Sequence, residues 1–213
     1  MNFQTIFLDA ASKSSKTSST KLVAQDFLAR NIGDFRRENS ILVTHRSSTQ
    51  LDQLGVSAGL TTVKPAGSTR GALATALLTV DFMSENQPIV LLPTNSHLQS
   101  EVFFSFLSEM IESDNSAGTV CVRSNNPIFS YIRVFERKVI EVVEKRVVGD
   151  LATTGIFFFK NRNFLVESAK WSFVNNQSTN GNFYVAPCLN YALSKGLFIG
   201  YHVAESEEYT HVG

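Results

Sequence analysis

The sequence predicts an α/β fold, with a mixed, mainly parallel central sheet and helices on both faces, formed by residues 1–213 as one domain. Three observations predict it. Strand-like runs alternate with helical patterns over the first half of the chain. The run at 88–92 is apolar on both faces, as a strand inside a parallel sheet is. Strand-like runs then follow one another after Gly118, and no low-complexity linker divides the chain.

The first half supplies four strands and three helices. Short apolar runs predict strands at residues 3–8, 41–44, 60–64 and 88–92. Helical spacing predicts helices over residues 21–32, from a cap at Ser68 or Thr69 to about residue 82, and over residues 100–111. Such alternation predicts a doubly wound sheet that binds ligands at the carboxyl ends of its strands.

The second half adds an antiparallel section to this sheet. Strand-like runs lie at residues 119–123, 131–135, 138–143, 154–159 and 197–203, and helical patterns lie around 164–173 and 184–193. The turns between the first four of these strands are short, which is typical of antiparallel neighbours.

Composition and charge exclude several classes of partner. Lys plus Arg number 19, and Asp plus Glu also number 19, so the chain has no excess of positive charge that would indicate a nucleic-acid partner. No apolar run approaches the roughly 20 residues that a membrane helix needs, and the N-terminus shows no secretion signal. Cys121 and Cys188 lie in apolar surroundings, which favours buried free thiols in a reducing compartment. We therefore expect a cytoplasmic protein without a membrane partner, either as a single chain or as a homo-oligomer.

The most informative stretch is a strand that ends in Glu144 and Lys145 and is followed by a strand containing Gly155. A carboxylate accepts hydrogen bonds from sugar hydroxyls, and an adjacent ammonium meets a phosphate as a point charge. The pair therefore indicates a binding site for a sugar phosphate, although Glu-Lys pairs also occur on solvated surfaces.

Four segments, taken together, resemble the superfamily of nucleotidyltransferases that join a nucleoside triphosphate to a sugar 1-phosphate. Residues 67–78 resemble its Thr-x-Gly-Ala segment, and residues 88–99 resemble the strand and turn that present a metal-binding Asp. Residues 141–159 resemble its sugar-phosphate segment, and residues 181–190 its Gly-Glu-Phe-Tyr-x-x-Pro-x-x-Asn segment. The likeness is greatest to the subgroup of capsule and surface-polysaccharide pathways, and it implies a GT-A-like, Rossmann-like nucleotidyltransferase fold. The final helix of relatives would follow the point where this sequence stops.

The resemblance implies a role for particular residues of this chain. Two lysines, Lys21 and Lys13, would contact the triphosphate as catalytic residues. The nucleotide would be bound by Asp9, Ala10, Ala11, Thr69, Arg70, Gly71 and Ala72, and the sugar phosphate by Glu144, Lys145, Gly155, Asn182 and Tyr184. Two of these have simpler alternatives, since Asp9 can satisfy N–H groups of the following loop and Arg70 can be solvated.

The chain departs from the family pattern at its N-terminal loop and at its metal positions. Residues 9–21 contain no glycine, and neither proline that flanks the family lysine is present. His97 stands where an Asp is expected, and His211 stands at a second acidic position. The family implies Mg²⁺, but Mg²⁺ prefers oxygen ligands and imidazole is a poor substitute, so these departures predict weak Mg²⁺ binding. Zn²⁺ or Mn²⁺ held by His97 and His211 is the alternative.

Two functions from different classes follow. The first is nucleotidyl transfer from a nucleoside triphosphate to a sugar phosphate or a similar phosphorylated metabolite in surface-polysaccharide biosynthesis. The second is a catalytically degenerate relative that binds sugar phosphate or nucleotide in a regulatory role. The departures predict reduced or absent activity in this chain. Glycosyl transfer is a third reading, but the Asp-x-Asp motif it normally needs is absent.

Overall fold

A computed structural model describes residues 2–9, 18–35, 40–44 and 49–211. The strands are β1 (Gln4–Leu8), β2 (Ile41–Val43), β3 (Thr61–Val63), β4 (Ile89–Pro93), β5 (Ser96–Leu98), β6 (Ala117–Arg123), β7 (Tyr131–Phe135), β8 (Lys138–Val143), β9 (Leu151–Phe159), β10 (Ile199–Val203) and β11 (Tyr209–His211). The helices are α1 (Ser18–Phe35), α2 (Thr49–Ser57), α3 (Ala72–Leu77), α4 (Ser100–Glu112), α5 (Arg162–Val174), α6 (Val185–Cys188) and α7 (Asn190–Ser194), with a 3₁₀ turn at Val80–Phe82.

The central sheet is mixed and mostly parallel, as predicted. Its strands lie in the order β3-β2-β1-β4-β9-β6-β10. Along this path only β9 runs against the others, because its pairings with β4 and β6 are antiparallel and the remaining pairings are parallel. β4 lies between β1 and β9, so the prediction that the apolar run at 88–92 forms an interior strand is confirmed.

Helices cover both faces of this sheet because its strands are apolar on both sides. Ile89 and Leu91 of β4 pack into a core shared with α3, α5, α6 and α7. Val90 and Leu92 point the other way, into a core shared with α1, α2 and α4. The second core is rich in phenylalanine, which explains much of that residue's frequency in the sequence.

Two additions to the sheet position the candidate site. The hairpin β7–β8 pairs with β9 through β7, and β5 pairs with β11 in a separate two-stranded sheet. Sequence patterns did not predict α2, β5 or β11. The helix predicted to run to about residue 82 is divided into α3 and the 3₁₀ turn. None of the described helices has the length and apolar content needed to cross a membrane.

Candidate functional site

Gly71 lets two backbones meet at the start of α3. Its φ is 99° and its ψ is 171°, a conformation that is essentially restricted to glycine. A Cβ atom here would lie 2.3 Å from the carbonyl oxygen of Phe183 and 2.7 Å from its nitrogen. The Phe183 N–H donates to the Arg70 carbonyl at 2.8 Å, and the Leu73 N–H donates to the Phe183 carbonyl at 3.1 Å. The predicted nucleotide segment is therefore joined directly to the segment 181–184.

The side chains of Thr69 and Arg70 strengthen this junction. Arg70 Nε donates to the Gly181 carbonyl at 3.3 Å, and its guanidinium carbon lies 5.8 Å from the centroid of the Phe183 ring. The Thr75 hydroxyl donates its hydrogen to the Gly71 carbonyl. Thr69 Oγ1 lies 2.5 Å from Thr75 Oγ1 and is therefore the donor in the hydrogen bond between the two hydroxyls. Thr69 does not cap α3, and the prediction that Ser68 or Thr69 caps this helix is wrong, since Gly71 holds the cap position without a side-chain bond.

Lys145 and Tyr184 connect the predicted sugar-phosphate segment to the same junction. Lys145 Nζ donates to the Tyr184 hydroxyl at 2.8 Å and lies 4.6 Å from the centroid of its ring. Lys145 has φ 52°, and its N–H donates to the Phe129 carbonyl at 3.1 Å, which directs the chain away from β8 at this residue. The ammonium remains exposed at the surface, where an anion can reach it.

Glu144 offers a carboxylate that is largely removed from water. Only 9% of the residue is exposed, and its Oε2 accepts a hydrogen bond from Ser130 Oγ. Burial raises the pKa of Glu144, while the Ser130 hydrogen bond and the Lys145 charge oppose this effect. A partly desolvated carboxylate beside an ammonium can accept from a ligand hydroxyl more strongly than an exposed one.

Two further predicted residues have structural contacts of their own. Gly155 has φ 84°, and a Cβ atom there would lie 3.1 Å from Cγ of Pro93 at the end of β4, so glycine allows this strand to approach. Asn182 bonds Thr179 through both backbone groups, and its side chain donates to the Asn180 carbonyl at 3.3 Å. Asn182 thus closes the turn that presents Phe183 and Tyr184.

Asn190 was not predicted to support the site, although it ends the segment 181–190. Its Oδ1 accepts from the Val142 N–H at 2.9 Å and its Nδ2 donates to the Val142 carbonyl at 2.8 Å. Asn190 therefore completes the outer edge of β8 two residues before Glu144. Ser130 and Phe183 were not predicted either. The contacts of all three residues are with residues distant in the sequence, which local patterns do not reveal.

The carboxyl edge of the parallel strands carries Asp9. The Asp9 N–H donates to the Val43 carbonyl and the Thr94 N–H donates to the Leu8 carbonyl, both at 3.0 Å, so Asp9 lies where β1, β2 and β4 end. Lys21 lies near the start of α1. Lys13, Ala10 and Ala11 fall outside the described residues.

The structure does not bring His97 and His211 together. In the β5–β11 pair His97 is opposite Thr210 and His211 is opposite Ser96, so the two imidazoles project from opposite faces. His97 Nε2 lies 3.0 Å from Asp34 Oδ2 of α1. His211 packs instead beside Phe129, with ring centroids 5.5 Å apart. A Zn²⁺ or Mn²⁺ site shared by these two histidines is inconsistent with this register.

The residues that the structure describes at this edge do not form a metal site by themselves. Within the described ranges, no three His, Cys, Asp or Glu side chains cluster closely enough to hold an ion. Mg²⁺ is often bound by one or two carboxylates together with substrate phosphates, and Asp9 is a described carboxylate at this edge. The cysteines do not contribute, since Cys121 and Cys188 are free and buried and burial raises the pKa of both thiols.

Known proteins resemble this chain in fold. No protein-family model matches it, and no curated protein sequence matches it significantly. A nucleoside-diphosphate-sugar pyrophosphorylase from Vibrio cholerae superposes with a TM-score of 0.81 at 16% identity, covering 98% of this chain and 95% of the other. A candidate glucose-1-phosphate thymidylyltransferase from Bacillus anthracis, in complex with sucrose, gives 0.73 at 17% identity, covering 99% and 89%. The inositol-1-phosphate CTP transferase from T. maritima gives 0.70 at 15% identity, covering 98% and 88%. At these identities the likeness shows the fold.

Proposed function

We propose that this protein transfers a nucleotidyl group from a nucleoside triphosphate to a sugar phosphate or a similar phosphorylated metabolite, in surface-polysaccharide biosynthesis. One observation carries the proposal. An unbroken series of contacts runs from Gly71 through Phe183 and Tyr184 to Lys145, which joins the segment resembling a nucleotide site to the segment resembling a sugar-phosphate site. Two substrates must be adjacent for one to attack the other, and the two segments that meet at this junction are those that resemble the two binding sites, which supports the proposal.

The three structural neighbours support the substrate class. Their names describe a nucleoside-diphosphate-sugar pyrophosphorylase, a glucose-1-phosphate thymidylyltransferase and an inositol-1-phosphate CTP transferase. Each name pairs a nucleotide with a sugar or a cyclic polyol. The same overall fold in this chain, together with Glu144 and Lys145, favours a phosphorylated polyol as the acceptor.

The reaction would be an in-line displacement at the α-phosphorus. An oxygen of the acceptor phosphate forms a new P–O bond to the α-phosphorus while the bond to the β-phosphate bridging oxygen breaks, and pyrophosphate leaves. Catalysis would depend on positioning and on neutralising charge, because the protein forms no covalent intermediate in this scheme. Lys145 would contact the phosphate of the acceptor, and Glu144 would accept a hydrogen bond from a hydroxyl on the acceptor's ring. The backbone around Gly71 would contact the nucleoside. Asp9 with the segment 10–21, including Lys13 and Lys21, would contact the triphosphate.

A second candidate function, a binding or regulatory protein with little catalysis, is favoured by the state of the histidines. His97 stands where the family pattern has a metal-binding Asp. Its imidazole contacts the Asp34 carboxylate and projects from the opposite face to His211. We propose accordingly that Mg²⁺ contributes little to nucleotide binding by this chain.

Calorimetry with hexose 1-phosphates and nucleoside triphosphates, with and without Mg²⁺, tests the proposal. Lys145→Met removes the ammonium and keeps the length of the side chain, and we expect it to weaken hexose 1-phosphate binding about tenfold or more. Lys138→Met is the matched control, since Lys138 is also exposed and lies over a ring, that of Phe198, outside the site. Equal binding by the two variants would contradict the assignment of Lys145.

A pyrophosphate-release assay separates the two functions. Release by the unmodified protein with both substrates supports the transferase. Binding of both substrates without release supports the regulatory protein. Failure to bind any hexose 1-phosphate and any nucleoside triphosphate would refute both.

A further inference from the structure

A cavity of about 420 Å³ lies at the carboxyl ends of β6 and β10, beside β11. It is on the sheet face that packs against α1 and α4, because Val122 and Ala204 in its lining belong to the core on that side. The Gly71–Phe183 junction is on the other face, where Phe183 packs in the core of α3 and α5. The volume is within the range of sites that hold small molecules, roughly 300–1,000 Å³.

Three rings form one wall of this cavity. Phe129 and His211 have centroids 5.5 Å apart at an interplanar angle of 64°, and Tyr209 and His211 are nearly parallel at 6.4 Å. The Tyr209 hydroxyl donates to the Thr154 carbonyl at 3.0 Å, which holds its ring in place. A wall of aromatic rings favours a ligand with a flat, C–H-bearing face.

The wall also contains a polar atom without a partner. His211 Nδ1 is buried and makes no hydrogen bond within the described structure. Burial lowers the pKa of His211, so the imidazole is neutral at pH 7 and this nitrogen can donate or accept according to its tautomer. This nitrogen has almost no surface that a molecule in the cavity can reach, so His211 contributes the face of its ring to the wall rather than a hydrogen bond.

The rim carries groups that suit hydroxyls rather than a phosphate. Ser124, Ser206 and Glu205 line it, and Arg123 at the same rim is already paired with Asp150. Glu205 would repel a phosphate, and the guanidinium is compensated by its carboxylate partner. Hydroxyls both donate and accept, so a ring that bears several of them can satisfy serines, a carboxylate and a guanidinium together.

We propose that this cavity binds the ring of a hexose, with one face on Phe129, Tyr209 and His211 and its hydroxyls at the rim. The ring can come from two sources. It can belong to the acceptor of the proposed reaction, in which case the inference rests on that function, or it can belong to a sugar that binds independently. Phe129 connects the two regions, because its carbonyl accepts from the Lys145 N–H and the next residue, Ser130, binds Glu144.

Two tyrosines report separately on the two regions. Tyr209 lines the cavity, and Tyr184 contacts Lys145 outside its lining. Spectra of the protein with ¹³C-labelled tyrosine, assigned with Tyr209→Phe and Tyr184→Phe, are recorded during titration with glucose, galactose and mannose, with their 1-phosphates, and with inorganic phosphate. A free hexose that shifts Tyr209 but not Tyr184 identifies an independent sugar site. A hexose 1-phosphate that shifts both, where the free hexose shifts neither, identifies the acceptor's ring.

Ser206→Trp tests the location, because it fills the cavity from an exposed position. We expect it to weaken the response of Tyr209 to sugar about tenfold or more. Glu207→Trp is the matched control, since Glu207 is exposed on the same turn and does not line the cavity.

The inference is overturned if no sugar shifts Tyr209 at millimolar concentration, if inorganic phosphate alone reproduces the shift, or if Ser206→Trp leaves it unchanged. A shift of Tyr184 alone would refute the cavity and leave the proposed acceptor contact intact. A shift of Tyr209 alone with hexose 1-phosphates would support the cavity and refute the acceptor contact at Lys145.

Discussion

Replacing Gly71 with alanine should separate the two segments that meet at the start of α3. The native φ and ψ of 99° and 171° cost a residue with a Cβ atom about 1–3 kcal/mol. The new Cβ atom would lie 2.3 Å from the Phe183 carbonyl oxygen, and backbone atoms cannot rotate away as a side chain can. Phe183 must therefore move, which weakens its two hydrogen bonds to this segment at about 1 kcal/mol each.

The net effect is smaller than the sum because alanine also restricts the unfolded chain, which returns about 0.4–1 kcal/mol. We expect Gly71→Ala to lower the free energy of unfolding by about 2–4 kcal/mol. For a chain of this length each kcal/mol shifts the Tm by roughly 2–4 °C. Urea denaturation followed by circular dichroism gives the free energy from the midpoint, provided that the m-value is unchanged.

Gly181→Ala is the matched control. Gly181 also has a positive φ, 74°, but a Cβ atom there would meet nothing within 4 Å. Its backbone cost of about 1–2 kcal/mol is partly offset in the unfolded state, by about 0.4–1 kcal/mol, so a net loss of about 0–1.5 kcal/mol is expected. If the two variants differ by less than about 0.5 kcal/mol, the contact between Gly71 and Phe183 does not hold the segments together, and the reasoning is wrong. The same displacement moves Tyr184, so hexose 1-phosphate binding should weaken in Gly71→Ala and not in Gly181→Ala.

The remaining predictions concern the support of Glu144 and Lys145. Burial raises the pKa of Glu144, so its contribution to stability is present at low pH and is lost as the pH rises through the pKa of the folded state. Glu144→Gln should therefore unfold at higher urea concentration than the unmodified protein at about pH 8, with no advantage at about pH 4. If the urea midpoints of Glu144→Gln and the unmodified protein differed by the same amount at both pH values, burial would not be what raises the pKa of Glu144. Asn190→Ala leaves both backbone groups of Val142 without partners, and urea denaturation should show a loss of about 2–4 kcal/mol, with Asn190→Asp intermediate because it keeps the acceptor. An alanine variant as stable as the unmodified protein would show that water satisfies β8 equally well.

Much of the fold could be predicted because apolar periodicity reports directly on burial. The run at 88–92 contains no polar side chain, and residues 89–92 of β4 are buried on both faces. The hairpin strands β7 and β8 lie where the runs at 131–135 and 138–143 were predicted. The segments α2, β5 and β11 were not predicted, since they are short and their pairing depends on distant residues.

The candidate site divides in the same way. The sequence by itself determined which side chains carry useful chemistry, the carboxylate of Glu144 and the ammonium of Lys145, because charge and hydrogen-bonding capacity belong to the residue type. That Gly71 and Gly155 lie where another segment approaches closely is known only from the structure.

Only the tertiary structure decided which groups meet. The sequence predicted that His97 and His211 share a metal ion. In the structure His97 pairs with Thr210 and His211 pairs with Ser96, so the two side chains lie on opposite faces of the β5–β11 pair. Asn190 and Phe183 acquire their roles from backbone groups of Val142, Arg70 and Leu73. Contacts between residues far apart in the chain depend on how strands pair and pack, and local sequence patterns record burial and spacing but not the identity of the neighbour.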